Sequence, residues 1–403
     1  MQDLSLEKAV DVLKQHCQRV MAVEEVPLLS ALGRILAEDY VAGFANPPFD
    51  RSPLDGYTFA AESTAGRGMD NPAVFKVIGE ECAGDFFEQA VPQGSALRIM
   101  TGGAIPKGCN CVVRQEDVTV DGDILTVPFS IEPYTNYCYA GEDIQKGTRL
   151  AKKGTKLTAA HIGVLASMGF ATVKVLCNVR IALASTGDEL LQPGQPLAPG
   201  KIYNSNLYLL ASRLQELGFS PEIVGILPDD EEEAAEVIGR YRDRVDVFLT
   251  TGGVSVGKKD IMHGVVKRVG SRLFWRVAMK PGGPALAYTM GDTLGIALSG
   301  NPFASYATFE LIAVPILAHI SGNEKILPER MQAVLTDVFP KESKGRRFIR
   351  AYYENGKVRL PQQHASGSLF SVVDCNAFVD IPAGTGKLAR ETEVDVVRLY
   401  RVK

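Results

Sequence analysis

The sequence predicts a multidomain chain of the α/β plus β class, and three observations carry that expectation. From Val179 to Ile320, continuous apolar runs alternate with helical segments, the pattern of a mostly parallel sheet covered on both faces. Between about Val26 and Asp143, and again beyond Lys325, helical periodicity gives way to short β-type runs broken by Gly and Pro. The 403 residues also allow two to four domains, at roughly 150 residues each.

Taken in order, the first helix is expected over Ser5 to Val20, where Leu4, Val10, Leu13, Cys17 and Val20 form one stripe. The runs Val74–Ile78, Ala96–Met100 and Asp123–Val127 then predict a small, mostly antiparallel β unit. A helix at Thr158 to Met168 follows, with Gly169 placed to end it. Strand Val179–Ala184 leads into Ser185-Thr186-Gly187-Asp188-Glu189, and a helix from Asn204 to Leu217 has a capping Asn or Ser and Gly218 as its stop. Next come strand Glu222–Leu227, acidic helix Asp230–Arg244, strand Val245–Thr250 and a helix opening near Asp260. Strand Leu294–Leu298 precedes a long apolar helix, Pro302 to Ile320. Alternating runs at Arg347–Tyr353 and Val394–Tyr400 mark a small C-terminal β domain. The expected division is 1–25 with 141–177, helical and extended; 26–140, β; 178–325, α/β; and 326–403, β.

Composition excludes several function classes. With 43 basic against 47 acidic residues the net charge is −4, which argues against a general nucleic-acid binder. Seven scattered cysteines with no C-x-x-C pair, and five histidines without ligand spacing, argue against a zinc site or a disulfide framework. The N-terminus carries Asp3 and Glu7 and lacks a basic segment followed by an apolar one, so no signal peptide is expected. The apolar stretch Leu311–Ile320 contains Pro315 and is short of the ~20 residues that span a bilayer. A cytoplasmic chain with no membrane association is the expectation.

The chemistry is expected at strand ends. Thr250-Thr251-Gly252-Gly253-Val254-Ser255-Val256-Gly257 joins an apolar strand to a helix, where glycines let backbone N–H groups approach an anion. Lys280-Pro281-Gly282-Gly283-Pro284 and Ser299-Gly300-Asn301-Pro302 belong on the same edge. One such loop would be an ordinary turn; three point to a phosphate-bearing ligand, with Thr186, Gly252, Gly253, Ser255, Gly257, Ser299, Gly300, Asn301 and Pro302 as candidate contacts. The acids Asp188, Glu189, Asp229 and Asp260 also follow strands, and carboxylates beside phosphates suit a bridging Mg²⁺. Helix capping is the competing explanation, and for Asp230 to Glu233 it is preferred. By composition alone, Asn46–Tyr57, Arg98–Pro106 and Gly141–Ile144 read equally well as structural loops.

Six stretches occur in order: S-P-L-D-G-Y (Ser52–Tyr57), R-I-M-T-G-G-A-I-P (Arg98–Pro106), G-E-D-I (Gly141–Ile144), S-T-G-D-E-L (Ser185–Leu190), T-T-G-G-V-S-V-G (Thr250–Gly257) and S-G-N-P (Ser299–Pro302). With them the chain closely resembles the molybdopterin molybdenumtransferase (MoeA) family, whose relatives include the gephyrin E-domain. The resemblance implies an elongated four-part subunit whose α/β domain binds molybdopterin and whose C-terminal domain is a β-barrel. It implies a homodimer with active sites shared between subunits, and it makes the molybdopterin adenylyltransferase a candidate partner. The implied reaction is insertion of molybdate into adenylylated molybdopterin, with Mg²⁺-dependent adenylate cleavage and AMP release. Carried over by position, Asp55, Thr101, Asp143, Glu189, Asp229 and Asp260 are the functional polar residues, and Lys280 faces the anion. Glu189, Asp229 and Asp260 are the implied metal ligands.

The chain departs from the family pattern at three places. Gly283 replaces the second lysine of K-P-G-K-P, Ser299 replaces a proline, and the arginine before G-E-D is missing from Tyr137-Cys138-Tyr139-Ala140. Lys258 and Lys259 either restore the lost positive charge or are solvated surface lysines. A paralogue that inserts another oxyanion such as tungstate, and a non-catalytic pterin-binding scaffold, are the alternative readings.

Overall fold

The computed structural model describes residues 3–255, 257 and 260–399. The chain packs as two compact units, one of Met1–Glu24, Gly33–Ile35 and Val175–Lys403, the other of Glu25–Leu32 and Leu36–Lys174.

The second unit is built on a six-stranded sheet in the order Cys111–Arg114, Gly56–Phe59, Ser95–Ile99, Ala73–Glu81, Ile124–Val127 and Thr119–Asp121. Every pairing is antiparallel except that of Ala73–Glu81 with Ser95–Ile99. Alternate side chains of these strands, among them Phe59, Phe75, Val113, Leu125 and Val127, form one core. Phe59 and Phe75 stack within it at 4.4 Å between centroids. Helix Ala159–Ser167 starts where Thr158 and His161 form a reciprocal capping box.

The first unit contains a second six-stranded sheet, ordered Glu222–Leu227, Ile181–Thr186, Val247–Thr251, Thr293–Leu298, Leu286–Met290 and Ser271–Trp275. The first three pairings are parallel and the last two antiparallel. The antiparallel edge is absent from the sequence-based reading, although the two-residue Gly291-Asp292 connection between paired Met290 and Thr293 is a hairpin signal. Helices cover both faces. Ser205–Glu216, capped by Asn204, packs on one face with Pro302–Thr308. Glu231–Gly239 and Met262–Val269 pack on the other. Asp230 caps the former, accepting from the amides of Glu232 and Glu233 at 2.9 Å, as expected of an N-cap.

Several sequence-based boundaries change, and the acidic helix expected over Asp230–Arg244 ends at Gly239. The first helix runs only Leu6–Gln15, because the His16 amide turns back to the Leu13 carbonyl. Its Leu6, Ala9 and Leu13 enter the same core as Leu183, Val247 and Ile312, within the unit that holds the α/β sheet. The apolar helix Pro302–Ser321 contains a π-turn at Phe309–Ala313, just ahead of Pro315, which has no N–H to continue the regular ladder. By length and composition that helix could cross a membrane, but 89% of its apolar window is buried within the protein. It is a core helix.

Strands Glu329–Leu335, Lys357–Arg359, Arg347–Glu354, Ala377–Ile381 and Glu393–Arg398 close a barrel in that order. Its interior is filled by Leu335, Ile349, Val379, Ile381 and Val396, while Phe348, Phe378 and Val397 face the α/β core and join the two into one unit.

Candidate active site

Parallel strands in register bring Thr186, Thr251 and Leu298 to one edge of the α/β sheet, and the loops that follow them surround a cleft of about 830 Å³. Ser185 locks this edge. Its hydroxyl lies 3.0 Å from Asn204 Oδ1 and 2.9 Å from Thr251 Oγ1, fully out of solvent. Asn204 Oδ1 also accepts from the Leu207 amide at 3.3 Å, so one side chain joins the strand edge to a helix start.

The glycine loop is shaped by close approach. Gly252 and Gly253 have φ of +92° and +66°, a region that side-chain-bearing residues avoid. A Cβ on Gly252 would stand 2.6 Å from the Thr186 carbonyl oxygen. Gly252 donates to the Leu298 carbonyl at 3.0 Å and Met262 donates to that of Gly253 at 3.1 Å. Thr186, Gly252, Gly253, Ser255, Ser299, Gly300, Asn301 and Pro302 all line the cleft. Gly257 does not; its amide donates to the Asp260 carboxylate, and the Asp260 amide donates to the Gly257 carbonyl at 3.1 Å. Asp260 therefore borders the cleft while closing the loop. Val256, Lys258 and Lys259, including the lysines weighed as replacement charge, lie outside the described residues.

Glu189 and Asp229 line the same cleft. Asp188 and Asp229 hold each other's loops: the Asp188 amide donates to Asp229 Oδ2 at 3.1 Å, and the Asp229 amide to Asp188 Oδ1 at 3.4 Å. Among the described residues no three His, Cys, Asp or Glu side chains form a group able to hold a metal ion. Glu189, Asp229 and Asp260 thus make no ready-built cage. The donor set suits Mg²⁺ in its usual phosphate-site mode, in which one or two carboxylates share the ion with substrate phosphates and water.

Lys280 is exposed on the cleft, in a loop braced against the barrel. Its amide donates to the Arg346 carbonyl at 3.0 Å, and its carbonyl accepts from Phe348 at 2.8 Å. Further lining residues escaped the sequence reading, among them Asn204, Asn206, Arg276, Ser366 and Gly367. Asn206 Nδ2 donates to the Gly300 carbonyl at 2.7 Å. Asn204 Nδ2 and Asn206 Oδ1 are buried without a partner among the described residues, the kind of donor and acceptor that a ligand or ordered water completes. Asn204 carried a signal only as a helix cap; Ser366 and Gly367 carried none, being far from the motifs in sequence, and Arg276 carried none although it lies just ahead of Lys280.

Asp55, Thr101 and Asp143 belong to the other unit. There the three N-terminal motifs form one surface. Ser52 and Gly103 are joined at 3.0 Å, Gly102 and Ser52 at 2.8 Å, and Arg51 and Cys138 by reciprocal bonds of 2.9 and 3.0 Å. Asp50 accepts from the Tyr137 hydroxyl at 2.5 Å and the Ala140 amide at 2.7 Å. Asn46 Nδ2 donates to the Asp143 carboxylate at 3.3 Å, and the Asp143 amide donates to the Asn46 carbonyl at 3.2 Å. The loops left open by composition are therefore one hydrogen-bonded assembly.

The sheet, the strand-end glycine loops and the acid-bordered cleft define an α/β protein with a cleft suited to a phosphate-bearing ligand. Three family models match in sequence: the MoeA N-terminal region (domain I and II) over residues 4–169, a probable molybdopterin binding domain over 182–319, and the MoeA C-terminal region (domain IV) over 332–399. The chain belongs to the MoeA family. It is 36% identical over 379 residues to the molybdopterin molybdenumtransferase of Bacillus subtilis, covering 92% of this chain and 88% of that protein. It is 32% identical over 401 residues to that of Haemophilus influenzae, covering 98% of each. The crystal structure of the molybdopterin biosynthesis MoeA protein from Pyrococcus horikosii aligns with a TM-score of 0.84 at 31% identity, over 98% of this chain and 99% of that one.

Proposed function

We propose that this chain inserts molybdate into adenylylated molybdopterin, with Mg²⁺-supported cleavage of the adenylate and release of AMP. Its family makes it a transferase of molybdenum cofactor biosynthesis. The observation that carries the finer reading is the α/β cleft, where Lys280, two glycine-loop positions and acids meet at one strand edge. The glycine loop, whose Gly252 amide is held by Leu298, lets backbone approach a pyrophosphate closely, and Lys280 suits a tetrahedral oxyanion. Glu189 and Asp229 would hold Mg²⁺ with the substrate phosphates, and the ion when bound would neutralise developing charge on the phosphate link. Asp260 keeps the glycine loop in its anion-accepting form. No side-chain nucleophile is required, because phosphoryl chemistry of this kind is carried by positioning and electrostatics.

The same reading makes the protein a cytoplasmic homodimer. Asp55, Thr101 and Asp143 lie on a different compact unit from Lys280 and the acids, and a two-fold dimer presents equivalent surfaces reciprocally. One subunit's motif surface then completes the cleft of its partner. An adenylyl-transferring enzyme must supply the substrate, which makes the molybdopterin adenylyltransferase the partner in this scheme. The test is incubation of the purified protein with adenylylated molybdopterin, Mg²⁺ and either molybdate or tungstate. AMP release that depends on molybdate is expected. Release with tungstate alone would reassign the oxyanion, and no release with either would overturn the reading.

A further inference from the structure

Barrel strand Arg347–Glu354 carries a charge that the cleft chemistry does not use. Arg350 is 0% exposed, and among the described residues no carboxylate pairs with it. Its Nε and Nη2 donate to the Gln363 carbonyl at 3.3 and 3.0 Å, and Nη2 also donates to the Ala365 carbonyl at 2.7 Å. Nη1 is buried without a partner among the described residues. The guanidinium lies 4.0 Å from the centroid of the Phe303 ring, a cation–π contact. Burial pulls the Arg350 pKa down, whereas carboxylates at Arg213 and Arg346 hold those two arginines above their ordinary value. A buried guanidinium without a counter-ion is a poor way to stabilise a core, and an apolar side chain of similar length would serve better.

What the charge does organise is a short segment on the cleft. The Ala365 carbonyl also accepts from the Ser368 amide at 3.1 Å, so it is held from two sides. The adjacent Ser366 carbonyl accepts from the Phe303 amide at 3.0 Å. Phe303 directly follows Asn301-Pro302, and Ser366 and Gly367 line the cleft together with Ser299–Pro302. Arg350 thus grips both partners of one contact, the 363–365 backbone by hydrogen bonds and Phe303 by its ring face.

We propose that Arg350 is a positioning residue that fixes the Ser366–Gly367 lip against the Ser299–Pro302 loop and so sets the cleft for its phosphate-bearing substrate. The substrate clause rests on the proposed function; the lip does not. The decisive variant is full-length Arg350→Met, which replaces the charge with a flexible apolar side chain. Its melting temperature is expected to equal or exceed that of the parent. Hydrogen exchange at 363–368 should quicken about tenfold or more while strands Arg347–Glu354 and Ala377–Ile381 stay protected. KM for adenylylated molybdopterin should rise about tenfold with kcat within about twofold. Arg350→Lys keeps the charge but loses the fork, and should loosen the same segment; it decides the matter if the Met variant does not fold.

Unchanged exchange at 363–368 in a folded variant would overturn the proposal. So would loosening of the whole barrel with a lowered melting temperature, which would make Arg350 an ordinary core residue. A loosened lip with an unchanged KM would overturn it as well. Absence of AMP release by the parent would instead refute the proposed reaction, leaving hydrogen exchange to decide the role of Arg350.

Discussion

Asp55 Oδ1 accepts two hydrogen bonds from Thr101, one from its amide at 2.8 Å and one from its hydroxyl at 2.7 Å. The amide bond first and the hydroxyl bond second hold the Asp55 carboxyl below the ordinary aspartate value, because both donate to its charged form. These residues come from two different motifs, 46 positions apart, and their pairing ties S-P-L-D-G-Y to R-I-M-T-G-G-A-I-P.

A pH dependence follows. Since the folded-state pKa is depressed, the pair favours folding above the unfolded pKa, and that contribution is lost as pH falls through the folded value. Thr101→Val removes the hydroxyl donor and keeps the amide. The Asp55 carboxyl should then titrate at higher pH in a carboxyl-carbon NMR titration, yet still below an ordinary aspartate. An unchanged titration would mean that the hydroxyl bond does not form in solution.

The Arg213–Glu310 pair spans 2.6 Å with its side chains 4% and 1% exposed, linking helix Ser205–Glu216 to the π-turn. Removing one partner leaves a buried charge behind. Glu310→Leu or Arg213→Met alone should each destabilise the α/β unit by about 3 kcal/mol, whereas the double variant should cost clearly less than their sum. Thermal unfolding of the four proteins provides the cycle. Additive losses would show that the two side chains act independently.

Neighbouring glycines in Lys280–Pro284 should respond oppositely to substitution. Gly282 has φ of +88°, and a Cβ there would collide with the Thr308 hydroxyl, so Gly282→Lys should misfold the loop and abolish oxyanion-dependent activity. Gly283 is outside the left-handed region, and its Cβ would meet the Met279 carbonyl at 3.0 Å, a contact that a small backbone shift relieves. Gly283→Lys should therefore fold at a cost of about 1 kcal/mol and bind oxyanion more tightly, with a steeper dependence on ionic strength. Isothermal titration with molybdate at two salt concentrations measures this, and equal affinity would show that the charge does not reach the site.

The proposed sharing of active sites between two subunits makes a mixing prediction. Asp55→Ala and Asp260→Ala homodimers should each be nearly inactive. In a heterodimer of the two, one site carries both substitutions and the other neither, so about half of the parental activity should return if the sites work independently. Heterodimers verified by mass that stay inactive would place both residues in a site within one chain.

Much of the α/β unit was legible because its signals are local. Strand Glu222–Leu227 and helix Ser205–Glu216 follow from apolar periodicity, the Asn204 cap and the Gly218 stop, all within a few residues of each other. The glycine loops were legible for the same reason: a strand end, a glycine pair and a helix start are consecutive. The helix Leu6–Gln15 was legible as a helix, but its partners were not, since any apolar stripe describes a surface without naming what covers it.

What the sequence by itself determined, then, is most of the helices and parallel strands, the strand-end glycine loops and, through six ordered motifs, the family. Only the tertiary structure decided which residues converge. It placed Asn204, Asn206, Arg276, Ser366 and Gly367 around the cleft, joined Asp55 to Thr101 and Arg51 to Cys138, and turned Asp260 toward closing its own loop. It also buried Arg350 against Phe303. The physical reason is the range of the interactions. Propensity, capping and periodicity act over one or two turns of chain, whereas a cleft and a buried charge are set by backbones that meet only after strands have paired and helices have packed on them.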